Sequence, residues 1–209
     1  MIPVKVLAVR CLTGASPALA KELGANNDEP CLGMLTTDCD DATYIALDEA
    51  TKAAAVRVCF AQSFYAGAAN ATTPYAGEVI GVLAGPTPEQ VKAAMQAALA
   101  ALENLGFEDV GVPCLAHTVS SCGSFLAAEA GVRQGAALAY LIAPPLESMY
   151  ALDAALKAAD VKLCKLYQPP TQTNFGGALL TGSQSACAAA AAAFRDAVAE
   201  VARQPVIRR

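Results

Sequence analysis

Residues 44–53 read YIALDEATKA and residues 149–158 read MYALDAALKA, so one amphipathic segment occurs twice along the chain. Leu47-Asp48 in the first copy corresponds to Leu152-Asp153 in the second, at an offset of 105 residues. Both copies have the apolar spacing of a helix that buries one face. A repeat at this distance predicts two copies of one supersecondary arrangement.

The correspondence extends outward from this segment in both directions. The further matches are, in chain order, Leu7-Ala8 with Leu115-Ala116, Leu19-Ala20 with Leu126-Ala127, Leu32 with Leu138, and 82–85 with 179–182. The offset falls from 108 to 97 along the chain, and alanine-rich composition does not easily produce matches that keep their order in this way. The fall places an insertion of about eight residues, around 63–70, in the first copy. The sequence therefore predicts a tandem duplication with domains at 1–112 and 113–209.

The sequence of each half predicts the same order of helices and strands. The expected strands are 4–11, 31–37, 56–60 and 77–84 in the first half, and 113–120, 137–143, 161–167 and 176–181 in the second. The expected helices are 16–23 and 47–55, with 124–130 and 152–159 as their counterparts, and each half ends in a longer helix. In the first half that helix starts with Thr87 as cap, Pro88 at the first position and Gln90 three residues after the cap. This order predicts an α+β fold, an α/β sandwich with a mixed sheet flanked by helices.

The composition favours a protein with large buried interfaces. Apolar residues make up 55% of the chain and charged residues only 16%. Such a chain has ample material for cores and a poorly charged surface, which is typical of a subunit in an oligomer. The net charge of −5 and the scattered basic residues argue against nucleic acid as a partner.

The sequence also argues against a membrane or secreted protein. No apolar run reaches the roughly 18–20 residues that a membrane span requires. The longest candidate, 186–194, is short and is followed by Arg195 and Asp196. The N-terminal residues begin directly with a strand-like alternation and lack the layout of a signal peptide. We therefore expect a cytoplasmic protein.

The sequence predicts neither a metal site nor a cofactor site. The eight cysteines include no C-x-x-C pair and His117 is the only histidine, so the cysteines are interpreted as small core residues. His117 lies within a strand-like run and is interpreted as structural. The chain has no G-x-G-x-x-G run and no P-loop lysine, and every Ser-His-Asp or Cys-His arrangement would depend on His117. We therefore expect a protein that is not an enzyme.

Two acidic features stand out from this background. Asp38, Asp40 and Asp41 follow a buried-looking strand, and they are interpreted either as a solvated turn that caps the next element or as part of a binding site. Glu78 interrupts an apolar strand, where a carboxylate needs a partner or water. Carboxylates beside an aromatic face would attract a small ammonium ion.

Five runs of sequence carry a resemblance to a known family; they are DDATYIALDEATK (40–52), SFYAGAA (63–69), AGEV (76–79), APPLE (143–147) and LTGSQ (180–184). These runs resemble the EutL family of ethanolamine-utilization microcompartment shell proteins. The resemblance extends from the first strand to near the C-terminus. It implies two circularly permuted bacterial microcompartment (BMC) shell domains per chain, homotrimers that look like hexamers, and tiling with other shell proteins into flat facets. The implied location is a microcompartment shell in the cytoplasm.

The resemblance also implies small pores that pass polar metabolites such as ethanolamine. By motif, it assigns the small-pore ligand to Asp40, Glu78 and Phe107. Two alternatives remain at this point. One is a tandem shell protein of another pathway, such as propanediol or ethanol metabolism. The other is a small-molecule-binding enzyme subunit with Asp40 and Glu78 as acid and base. The chain lacks a metal motif, but a metal at an axis shared by three subunits stays open.

Overall fold

The computed structural model describes residues 1–64, 78–169 and 171–206, and these residues divide into two compact units. The first unit comprises Pro3–Leu105 and Gly123–Leu126. The second unit comprises Met1–Ile2, Gly106–Cys122 and Ala127–Arg209. The proposed division of the sequence after residue 112 stays a prediction. The predicted insertion around 63–70 lies mostly outside the described residues.

The first unit contains a four-stranded sheet covered by helices. Its strands are β2 (Val6–Leu12), β3 (Cys31–Thr37), β4 (Arg57–Phe64) and β5 (Glu78–Gly85). They lie in the order β2-β3-β5-β4. Its helices are α1 (Pro17–Glu22), α2 (Asp40–Ala53) and α3 (Pro88–Leu102).

The second sheet has six strands. They are β1 (Ile2–Pro3), β6 (Gly106–Asp109), β7 (Pro113–Val119), β8 (Ala137–Ala143), β9 (Val161–Tyr167) and β10 (Gly176–Gly182), in the order β1-β6-β7-β8-β10-β9. The remaining helices are α4 (Ser124–Ala130), α5 (Pro145–Ala158) and α6 (Gln184–Arg203).

The two sheets confirm the duplication. The order β2-β3-β5-β4 of the first sheet is repeated as β7-β8-β10-β9 in the second, and each helix of the first half has a counterpart at the same point in the order of elements of the second half. Because strand order is a property of the whole chain path, agreement at four strands cannot come from similar composition. The α+β class, with helix-flanked sheets, is confirmed.

Two expectations about the elements need correction. The strand pairs with a defined register are antiparallel, where a mixed sheet was expected. The reason is that α2 and α5 each connect strands that are not neighbours, so no long helix crosses between adjacent strands. The second helix of each half also begins earlier than expected, at Asp40 and at Pro145 instead of 47 and 152. Acidic residues in the first turn and proline at the first position are both favourable helix starts.

The start of α3 and the packing of α2 follow from local chemistry. Thr87 Oγ1 accepts a hydrogen bond from the Gln90 backbone N–H at 3.4 Å, as expected for the cap. The Gln90 side chain instead accepts from the Ala55 N–H at 2.9 Å, so it ties α3 to the end of α2. A Cβ on Gly81 would lie 2.6 Å from the Leu47 side chain, so glycine permits close packing of α2 on β5.

Candidate functional site

The acidic run that follows β3 is buried. Asp38, Asp40 and Asp41 are only 9%, 8% and 7% exposed, which excludes the interpretation of a solvated turn. Asp38 Oδ1 accepts a hydrogen bond from the Lys5 N–H at 2.7 Å, so this carboxylate joins the start of the chain to the end of β3. Asp40 and Asp41 form the first turn of α2, where the helix dipole favours negative charge.

Two threonine hydroxyls hold the chain between β3 and α2. Thr37 Oγ1 accepts from the Cys39 N–H at 3.1 Å, and the Thr43 hydroxyl donates to the Cys39 carbonyl at 2.8 Å. The two hydroxyl oxygens are 2.7 Å apart, and both threonines are fully buried. Backbone groups at a buried strand-to-helix turn therefore find partners. This turn fixes the direction in which the Asp40 side chain leaves the helix.

Asp40 takes part in a chain of hydrogen bonds with Tyr44 and Ser63. Tyr44 donates its hydroxyl to Ser63 Oγ at 3.0 Å, and the Ser63 hydroxyl hydrogen-bonds to the Asp40 carboxyl. Asp40 Oδ1 also accepts from the Asp41 N–H at 2.9 Å. Burial raises the pKa of Asp40, and these hydrogen bonds oppose the increase. Burial also raises the pKa of Tyr44 to about 12, so this hydroxyl remains a proton donor at neutral pH.

Sequence reasoning did not identify Tyr44 and Ser63 as members of this cluster. Tyr44 follows Asp40 by four residues and lies on the same side of α2, a spacing that the sequence displays. Ser63 comes from β4, and only the register of the sheet brings it to Asp40.

Glu78 is the first residue of β5 and lies at the same end of the sheet as Asp40. It pairs with Phe64, while Ser63 pairs with the next residue, Val79. Because side chains alternate along a strand, Glu78 and Ser63 lie on opposite faces of the sheet. Glu78 is half-buried at this edge. Residues 65–77, which precede it, lie outside the described residues.

Phe107 belongs to the second unit, in β6. Its side chain is only 1% exposed, and its ring centroid lies 5.8 Å from that of Phe175 at a tilt of 43°. Of the three residues assigned by resemblance, Asp40 and Glu78 are therefore in one unit and Phe107 is in the other.

The second half lacks the acidic cluster. Its helix α5 begins with Pro145 where α2 begins with Asp40, and its cap residue is Pro144. Only the first copy therefore has a carboxylate in this place.

The described residues contain no group of three or more histidine, cysteine or acidic side chains arranged to hold a metal ion. His117 lies within β7, as expected for a structural histidine. No disulfide joins any of the eight cysteines, which all lie in the described residues; five of them are buried while Cys11 is exposed. The expectation of small core cysteines thus holds for most of them. Within the described part of the chain, no helix is long and apolar enough to cross a membrane.

The chain is similar to known shell proteins over its full length. Residues 31–113 match the model of the BMC domain. The bacterial microcompartment shell protein EutL of Clostridium perfringens (strain 13 / Type A) is 55% identical over 211 residues, which cover 99% of this chain and 97% of the relative. EutL of Salmonella typhimurium is 46% identical over 213 residues, covering 100% and 97%.

A solved structure is also similar to this chain over nearly its full length. The crystal structure of ethanolamine utilization protein EutL from Leptotrichia buccalis C-1013-b superposes with a TM-score of 0.94. It is 54% identical in sequence, and the match covers 99% of this chain and 98% of that one.

Proposed function

The chain belongs to the EutL family of bacterial microcompartment shell proteins, and from this we propose that it is a subunit of the shell of a microcompartment for ethanolamine catabolism. The family is structural and not catalytic. The observation that carries the proposal is the 55% sequence identity to EutL of Clostridium perfringens, which extends over 99% of this chain. The strand order that occurs in both sheets agrees with it.

The proposed assembly is a homotrimer that tiles with other shell proteins. Each chain contributes two copies of one framework, so three chains would close a ring with six similar positions. Closed rings with flat, repeated edges are suited to building a layer. The high apolar content and low charge of the chain agree with extensive contacts between subunits.

The proposed ligand is a small ammonium alcohol such as ethanolamine, and the carboxylates proposed to bind it in a small pore are Asp40 and Glu78 of the first unit. Asp40 contributes a buried carboxyl group beside the Ser63 hydroxyl, and Glu78 contributes a second carboxylate at the same end of the sheet but on its opposite face. Anionic oxygens attract the ammonium group, and a hydroxyl can hydrogen-bond to the alcohol. Phe107, the third residue assigned by the resemblance, is buried against Phe175 in the second unit, and its role stays a prediction. The second half, which has prolines at the Asp40 position, is not expected to bind this ligand.

A titration of the assembled protein with ethanolamine tests the ligand. The wild type should bind ethanolamine but not 1,2-propanediol, which lacks the ammonium group. Glu78→Gln and Asp40→Asn should each weaken binding about tenfold or more, because each removes a charge-assisted contact. Asp196→Asn, at an exposed carboxylate far along α6, should bind like the wild type. If the wild type binds propanediol or no ammonium alcohol at all, the shell serves another pathway.

A further inference from the structure

One face of α2 is covered by the segment Gly123–Leu126. Asp48 Oδ2 accepts a hydrogen bond from the Gly123 N–H at 2.6 Å, and Asp48 Oδ1 accepts from the Leu126 N–H at 2.8 Å. One turn later, Thr51 Oγ1 accepts from the Ser124 N–H at 3.1 Å. Asp48 is fully buried, so a carboxylate without these donors would be costly. Helix face and segment both belong to the first unit.

The ring of Tyr44 extends the same contact. Tyr44, Asp48 and Thr51 are spaced by four and three residues, which places them on one side of α2. The Tyr44 ring centroid lies 6.0 Å from that of Phe125, the residue at the middle of the covering segment. The face thus combines one apolar contact with three hydrogen bonds to backbone N–H groups.

The duplicate of this face, on α5, is exposed among the residues that the structure describes. At the offset of 105, Asp153 corresponds to Asp48 and Leu156 to Thr51. The Asp153 side chain is 65% exposed, and Leu156 is 37% exposed. Asp153 contacts Lys157 at 2.5 Å on the helix surface. An exposed ion pair of this kind is weak and can exchange for better partners.

The duplicate of the covering segment is also exposed. At the offset of 107, residues 16–19 correspond to 123–126, so Leu19 is the counterpart of Leu126. Leu19 is 45% exposed whereas Leu126 is 1% exposed. Since the segment and the α5 face are both exposed, neither is covered by the described residues of its own chain.

One difference between the two copies affects both sides of the contact together. Ser124, whose N–H donates to Thr51, is replaced by Pro17, which has no N–H. Thr51, the acceptor, is replaced by Leu156, which has no side-chain acceptor. If only the N–H donor were lost, the contact would bury an acceptor without a hydrogen-bond partner. If only the acceptor were lost, it would bury an N–H without a partner. Their joint absence is expected if residues 16–19 and α5 meet.

We propose that residues 16–19 of a second copy of this chain bind to the α5 face, with Asp153 accepting hydrogen bonds from the backbone N–H groups of Ser16 and Leu19. The proposal rests on the proposed trimeric assembly, which it deepens by assigning the residues of the contact between subunits. Three such contacts would close the ring. The side chain of Leu19 becomes buried there, as that of Leu126 is within the chain.

The contact between copies must be slightly wider than the one within the chain. A Cβ on Gly123 would lie 2.3 Å from Thr51 Oγ1 and 2.6 Å from the Asp48 carbonyl oxygen. Ser16 carries such a Cβ. Helix α5 has Leu156 in place of Thr51, so the approach that carries over is the one to the backbone carbonyl oxygen of Asp153. The segment of the second copy therefore lies farther from its helix than Gly123 does.

Dilution of the trimer, followed by mass photometry, tests the role of Asp153. Asp153→Ala should raise the concentration at which trimers dissociate about tenfold or more, since charge-assisted hydrogen bonds are lost at each of three contacts. Lys157→Ala is the matched control, because it removes the same exposed ion pair but none of the proposed contact. It should stay within about threefold of the wild type.

Cross-linking provides an independent test of the geometry. The double variant Ser16→Cys/Leu156→Cys should form reducible covalent trimers under mild oxidation, whereas each single variant should behave like the wild type. The proposed contact would be wrong if Asp153→Ala trimers dissociated at the same concentration as wild-type trimers and the double cysteine variant formed no cross-link. The proposed shell function would not be affected by that result. A wild type that forms no trimer would overturn both.

Discussion

Asp48 and Gly123 lie 75 residues apart in sequence and are joined by a hydrogen bond of 2.6 Å from the Gly123 N–H to the Asp48 carboxylate. The same carboxylate accepts from the Leu126 N–H, so one buried side chain organises a segment of four residues. The duplicate, Asp153, lies on the surface. The same aspartate is thus buried in one copy of the repeat and exposed in the other. We expect a second copy of the chain to bind at the exposed one.

Replacement of Asp48 tests the importance of this carboxylate for folding. Asp48→Ala should lower the free energy of unfolding by about 3 kcal/mol, because two backbone N–H groups lose a charged acceptor in a buried place. Asp48→Asn retains one acceptor oxygen and should cost less. Urea denaturation measures both. Lys157→Ala, at an exposed position, should change the free energy by no more than about 0.5 kcal/mol. Equal stability of Asp48→Ala and the wild type would show that the segment is held by other contacts.

The raised pKa of Asp40 predicts a particular pH dependence of stability. Its causes are burial, which raises it, and the opposing hydrogen bonds from Asp41 and Ser63. A folded-state pKa above the unfolded value means that the fold favours the protonated carboxyl. Its contribution to stability is then fully present below the ordinary pKa of about 4 and is lost as pH rises through the raised folded pKa.

The variant Asp40→Asn isolates this contribution because it cannot titrate. In urea denaturation from pH 4 to pH 7, the wild type should lose stability relative to Asp40→Asn as the pH rises. The exposed Asp196→Asn variant should follow the wild-type profile. Parallel profiles for wild type and Asp40→Asn would mean that the pKa of Asp40 is not raised.

Ligand binding should have the opposite pH dependence. An ammonium ligand is attracted by the ionised form of Asp40, so ethanolamine affinity should fall as the pH is lowered through the raised pKa. Calorimetric titrations at several pH values measure the change. Residual binding by Asp40→Asn should show a weaker pH dependence in this range. An affinity that rises at low pH would argue against Asp40 as a contact of the ammonium group.

Gly177 tests the close packing within the second sheet. A Cβ at this position would lie 1.8 Å from the Leu141 carbonyl oxygen, so the backbone of β8 or β10 would have to move. Gly177→Ala should therefore cost about 3 kcal/mol of unfolding free energy. Gly14→Ala is the control, because a Cβ there meets nothing within 4 Å. Thermal or urea unfolding measures the stability of both variants. Similar losses of stability in the two variants would contradict the close approach of Gly177 to Leu141.

Thiol labelling tests the interpretation of the cysteines. Cys11 is exposed, while Cys39 and Cys114 are buried, and burial raises the pKa of Cys114 to about 12 and that of Cys39 well above its ordinary value. One thiol per chain should react rapidly in the native protein, and Cys11→Ser should abolish this phase. Rapid labelling of Cys39 or Cys114 without denaturant would contradict the described burial.

The sequence predicted the framework well because repeated patterns reveal it. The positions of β3, β8 and most other strands followed from apolar runs, and the identical strand order of the two sheets confirms the duplication. Strand β6 was missed because it has only four residues, two of which pair with β7, and so short a strand leaves no periodic signal.

Local interactions were predicted less well, for physical reasons. The start of α2 was placed too late, since the buried Asp40 and Asp41 interrupt the apolar pattern used to locate helices. The partners of Asp48 are backbone N–H groups, which every sequence possesses and no pattern marks. The Ser63 contact of Asp40 depends on the register of β4, which is decided by the whole sheet.

The mass and shape of the purified protein in solution test the proposed assembly most directly. Mass photometry at micromolar concentration should give three times the chain mass of 21.3 kDa, and electron micrographs should show rings with six similar lobes that associate into flat layers. A protein that stays monomeric or dimeric under these conditions, and forms no layers, would contradict the assignment as a shell subunit.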